Sequence, residues 1–170
     1  MKHRAVTAVF ALIVLVFAGC GSNNKNISFK IALDADIPSL DPGQSYSYES
    51  VQVTNQLTEG LVAFNGAGEV VPALAREWRQ ADALTSVYEV REDVVFSDGS
   101  PMTMEDVLFS LERTRNGEDG TYYADYLGEV ARLSAEGWRL TITLSRPSMV
   151  FKYNMATNAG RIISKAYYMA

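Results

Sequence analysis

The sequence predicts an α+β chain of mostly antiparallel strands with short helices. Three observations carry that prediction. The apolar stretches mostly alternate with period two and are joined by tight turns, at Asn65–Gly68, Asp98–Gly99 and Glu136–Gly137. Long breaker-free stretches with helical spacing are few, chiefly Ser45–Thr58 and the run after Thr103. There is no internal repeat or low-complexity tract, and 48% hydrophobic with 21% charged residues over 170 positions suits one packed domain.

The chain opens on a basic Met1-Lys2-His3-Arg4, after which Ala5 to Ala18 is apolar except for Thr7. That run is shorter than the ~20 residues of a membrane-spanning helix and matches the core of a secretory signal. It ends Ala18-Gly19-Cys20, which resembles a bacterial lipobox, with Cys20 as the lipidation site. An ordinary secretion signal with an incidental Cys, or a buried core strand, also fits these residues. The only Cys of the chain falls at this spot, which favours lipidation. The expected organisation is therefore a lipoprotein signal peptide over 1–19, a Gly/Ser/Asn/Lys tether over 20–26 and the folded body over 27–170. A doubly acylated anchor at Cys20 would hold that body on the lipid bilayer at the extracytoplasmic face.

Ile27, Phe29, Ile31 and Leu33 alternate as a strand with one buried face. Residues 34–43, with Pro38, Pro42 and Gly43, must be a loop. Ser45–Thr58 reads as a helix with Val51, Thr54, Leu57 and Thr58 on one face, ended by Gly60. Leu61–Phe64 is a strand turned at Asn65–Gly68; Gly66 and Gly68 lack the third glycine and following helix of a phosphate loop. Pro72 leads into one or two helical turns over Ala73–Trp78. Thr85–Arg91 is a strand, continued by Val94–Phe96 to the turn at Asp98-Gly99. Thr103 caps a helix whose face holds Val107, Leu108 and Leu111, closed at Asn116-Gly117. Residues 117–126 form a loop carrying aromatics. Val130–Ala135 and Trp138–Leu144 form a hairpin, Ser148 caps a short helix through Ala156, and Arg161–Ser164 is a final strand.

The net charge of −5 gives no basic footprint, so no nucleic acid is expected as a partner. One Cys leaves no material for an internal disulfide or a multi-thiolate zinc site. Removal of residues 1–19 would take away His3, the only histidine, and with it any His-based triad or metal site. No cofactor and no metal are expected, and no catalytic residue. The acid pairs Glu92/Asp93 and Glu118/Asp119 read as solvated charge rather than an acid–base couple, because sequence neighbours point apart or into water.

Several segments together resemble the N-terminal part of the extracytoplasmic solute-binding proteins of peptide/nickel ABC importers, family 5. They are Ser39-Leu40-Asp41-Pro42, Leu57–Leu61, Gly68–Trp78, Phe96–Arg113, and the hairpin Trp138–Leu144 with Arg146-Pro147 and Phe151. Ser86-Val87 and Glu89 depart from the family pattern. The resemblance implies part of the first lobe of a two-lobed, periplasmic-binding-protein-like (type II) fold, with the second lobe outside this sequence. It implies a substrate-binding component that delivers peptides, or nickel or oligosaccharides, to ABC permease subunits. The loop and helix start after the Leu-Asp-Pro motif line the cleft in that family, which points to Tyr46, Ser47 and Tyr48 as ligand contacts. The same tyrosines also fit a role covering the first strand. A truncated product that binds nothing by itself, and an envelope hydrolase, are the other readings.

Overall fold

A computed structural model describes residues 30–170. The signal segment 1–19, Cys20, the tether 20–26 and the first half of the predicted strand lie outside the described residues. The chain divides into a unit ending at Ala32 and one over Leu33–Ala170. Lys30–Leu33 adopt no regular structure, so the strand predicted over 27–33 is not found in its described part.

The second unit is built on a four-stranded antiparallel sheet: β4 (Ala75–Gln80), β5 (Thr85–Val90), β7 (Arg139–Leu144) and β6 (Val130–Glu136), in that spatial order. The β6–β7 hairpin turns on Gly137 at φ +56°, a conformation costly for any residue with a Cβ. Leu140, Ile142 and Leu144 alternate inward from β7 and are buried. Against them pack Val107 and Leu111 of α2 (Met104–Arg115), Leu127 of α3 (Ala124–Leu127), and Phe151 and Met155 of α4 (Phe151–Met155). Two smaller pairs flank this body, β2 (Val62–Phe64) with β3 (Val70–Pro72), and β1 (Glu59–Gly60) with β8 (Arg161–Ile162). Among the described residues the other α-helices are α1 (Tyr48–Leu57) and α5 (Lys165–Tyr168).

α2 starts where the sequence placed it. The Thr103 hydroxyl accepts from the Asp106 N–H at 3.3 Å, and Asp106 Oδ2 accepts from the Thr103 N–H at 2.8 Å, a full capping box. Asp106 Oδ1 also accepts from the Lys165 N–H at 2.8 Å, so one buried carboxylate ties α2 to the start of α5.

Several further elements differ from expectation. Residues 73–78 are not helical. β4 occupies Ala75–Gln80 because its backbone pairs with β5, with Trp78 opposite Tyr88 and their rings stacked at 6.1 Å. Tertiary pairing overrides the local helical pattern there. Val94–Phe96 makes one bridge, Val95 to Pro101, across the Asp98-Gly99 turn rather than extending β5. α1 is shorter than predicted and buries Ser50 and Thr54, whereas Leu57 is exposed. Its inner face carries hydroxyls that bond within the helix and to Asn158, so apolar spacing misjudged it. α4 begins at Phe151 with Val150 before it and no side-chain cap, so Ser148 does not cap it.

Candidate functional site

Ser39-Leu40-Asp41-Pro42 leads into the start of α1. Asp41 caps a 3-10 turn over Pro42–Gln44 by accepting the Gly43 N–H at 2.8 Å. Its carboxylate meets Arg113, near the end of α2, through both oxygens: Nη1 donates to Oδ1 at 3.2 Å and Nη2 to Oδ2. The Arg113 side chain is only 3% exposed. Its Nε reaches Asp119 at 3.3 Å, and its guanidinium lies 4.5 Å over the Tyr168 ring. Burial lowers the Arg113 pKa, but the hydrogen bond and charge of Asp41 outweigh it and leave it raised. Asp119 is therefore not simply solvated, as the sequence suggested. Hydrogen bonds from the Tyr168 hydroxyl, then from Arg113, hold its carboxyl below the usual range.

Gly43 is enclosed by the same groups. A Cβ there would sit 2.9 Å from Thr121 Oγ1 and 3.2 Å from Arg113 Nη1. The Gly43 carbonyl accepts from the Thr121 hydroxyl and the Tyr122 N–H, which draws the 117–126 loop against the strap over 39–47. Inside the strap, Ser45 is fully buried; its carbonyl accepts from the Tyr123 hydroxyl at 2.6 Å. Asn158 Nδ2 lies within hydrogen-bond distance of the Pro42 carbonyl and Thr54 Oγ1.

These anchors fix the three predicted contact residues. Ser47 caps α1, its hydroxyl accepting from the Ser50 N–H at 3.1 Å, so its side chain is engaged in the scaffold. Tyr46 and Tyr48 flank it with 61% and 76% exposure. Tyr122 from the 117–126 loop joins them, its ring 4.5 Å from that of Tyr46 at 51°. The result is an aromatic surface whose rings stand open to solvent at the N-terminal end of α1. Tyr122 was missed from sequence; the aromatic run Tyr122-Tyr123 was its only signal.

At the other end of α1 lies an open groove of about 920 Å³. Phe64, Leu74, Val95 and Met102 supply apolar lining, and Asn55, Asn158 and Arg161 supply polar groups. Among the described residues no cluster of His, Cys, Asp and Glu could hold a metal ion, and no helix is long and apolar enough to cross a membrane.

Residues 69–168 match the profile of the bacterial extracellular solute-binding proteins, family 5. The chain belongs to that family. Proteins similar to it include the periplasmic murein peptide-binding protein MppA of Escherichia coli, 36% identical over 75 residues, 44% of this chain and 14% of that protein. A dipeptide-binding protein of Lactococcus lactis is 27% identical over 89% of this chain and 31% of its own length. Among solved structures, OppA of Burkholderia pseudomallei superposes with a TM-score of 0.74 at 22% identity, over 81% of this chain and 30% of that one. The chain thus spans less than a third of each, and the fold is that of part of a family 5 protein.

Proposed function

We propose that this chain acts in solute capture for an ABC importer, as part of a lipid-anchored, extracytoplasmic binding protein that presents peptides to permease subunits. The family match over residues 69–168 carries this reading, and the peptide ligands in the names of MppA and the Lactococcus protein favour that solute class. Capture makes and breaks no bond in the solute, so the reading needs no catalytic group. Tyr46, Ser47 and Tyr48 form the peptide-facing edge: the two rings offer apolar area with a hydroxyl at the rim, and Ser47 holds the helix start that aims them.

Tripeptides titrated to about 10 mM against the isotope-labelled chain should shift amide signals at Tyr46–Tyr48 and Tyr122. No shift at these residues would overturn the site, and no shift anywhere would overturn solute capture by this chain alone. For the anchor, Cys20→Ser should move the protein from the membrane fraction to the soluble one. Membrane-bound protein whose intact mass shows an unmodified Cys20 would refute lipidation.

A further inference from the structure

Arg161 opens β8 at the side of the groove and is held there by neutral groups. Its Nη1 donates to the Thr58 carbonyl at 2.8 Å, and its Nη2 to Asn55 Oδ1 at 2.6 Å. Its Nε is buried with no hydrogen-bond partner among the described residues. No described carboxylate lies within ion-pair distance of it. Glu59, also at the groove, acts on it only through longer-range attraction. Burial holds the Arg161 guanidinium below its ordinary pKa, yet at neutral pH it stays charged. The groove therefore contains a cation held by two neutral oxygens and, among the described residues, by no ion pair.

A guanidinium has five N–H donors. Two of those on Arg161 are used and the one on Nε is enclosed, so two on the Nη atoms have no partner among the described residues. Paired N–H groups match the two oxygens of a carboxylate, and the bond is charge-assisted. A single positive charge with Glu59 nearby suits a monoanion better than a dianion. Beside the cation, Phe64, Leu74, Val95 and Met102 offer an apolar wall.

We propose that this groove binds the carboxylate of a small ligand with an apolar body, and that Arg161 is the group that recognises the anion. The proposal rests on the solute-capture reading and adds the chemical class that the captured solute presents at this end of α1.

The test compares N-acetylphenylalanine with its uncharged amide, titrated into the labelled full chain and followed by nuclear magnetic resonance. The acid should shift the Arg161 side-chain Nε–H signal and the Leu74 and Met102 signals, and the amide should bind at least about tenfold more weakly. Arg161→Gln should reduce the acid to the level of the amide, and Arg161→Lys should retain part of the difference. If Arg161→Gln does not fold, the acid–amide comparison on the wild-type chain decides alone. Equal binding of acid and amide would overturn the proposal and leave solute capture standing. So would tripeptide shifts confined to Tyr46 and Tyr122 with a silent groove. A chain that responds to no solute at all would overturn both.

Discussion

Arg113, buried, and Arg161, half-buried with its Nε enclosed, are two guanidinium groups in one small body, solved in opposite ways. Arg113 meets two carboxylates and an aromatic face, and its pKa ends raised despite burial. Arg161 meets a backbone carbonyl and an amide oxygen, and its pKa ends lowered. Desolvating a charge is costly unless an opposite charge and hydrogen bonds offset it. Arg113 is thus part of the scaffold: it joins the end of α2 to the strap that carries Tyr46 and Tyr48. Arg161 keeps its charge available to whatever enters the groove. The position of the counter-charge separates a structural arginine from a recognising one.

The largest effect should come from removing the counter-charge of Arg113. Asp41→Asn keeps the acceptor for Gly43 and the shape of the side chain, and strands a cation whose side chain is 3% exposed. It should cost about 3 kcal/mol in urea unfolding at neutral pH. It should also broaden the Tyr46 and Tyr122 signals, since the strap loses its tie to α2. A cost near zero would mean that Asp119 alone suffices and that the two arginines are closer in kind than their partners suggest.

A smaller effect separates the helix from the ion pair it carries. Thr103→Ala removes the cap at the far end of α2 from Arg113 and should cost about 1 kcal/mol. Because Asp41 and Arg113 are untouched, Tyr46 and Tyr122 should keep their signals. If they change as they do in Asp41→Asn, the strap responds to α2 as a whole rather than to the ion pair.

The sequence reading succeeded where structure is local. The β6–β7 hairpin, the capped start of α2 and the turns at Asn65–Gly68 and Asp98-Gly99 follow from residues within a few positions of one another. It failed where a distant partner decides. β4 became a strand through β5, and α1 hid its inner face behind Ser50 and Thr54, which face Asn158 and the strap. The site was half legible for the same reason. The resemblance pointed to Tyr46, Ser47 and Tyr48, but Tyr122 joins Tyr46 from 76 positions away and Arg113 joins Asp41 from 72. Nothing in the composition marks which of two arginines lacks an acid; only the fold assigns Asp41 to one and leaves Thr58 and Asn55 to the other.

Acid titration sharpens the contrast further. The Asp119 carboxyl is held below its usual pKa by Tyr168 and then Arg113. A depressed carboxylate adds stability that is complete above the unfolded pKa of about 4 and is lost as pH falls through its lower folded value. Asp119→Asn should therefore make the loss of stability below about pH 4 less steep, with little change near pH 7 in the slope of stability against pH. An acid limb identical to wild type, in chemical denaturation repeated at pH 5 and pH 3, would place Asp119 outside the Arg113 cluster in solution.

The smallest effect is expected at Arg161, and its smallness is the point. Arg161→Met removes a partly buried cation that no described carboxylate pairs with and that Glu59 offsets only at longer range, so it recovers desolvation energy. Against this it gives up two charge-assisted hydrogen bonds to neutral oxygens, worth about 1.5 kcal/mol each. Asn55 is exposed and rebonds to water, which leaves the Thr58 carbonyl as the main loss. The terms nearly cancel, and unfolding free energy should stay within about 0.5 kcal/mol of wild type. A cost near the ~3 kcal/mol expected for Asp41→Asn would show that Arg161 is held by a charge after all, as a structural arginine of the Arg113 kind. Near-neutral stability with loss of acid binding in the groove is the combination that only a recognising arginine produces.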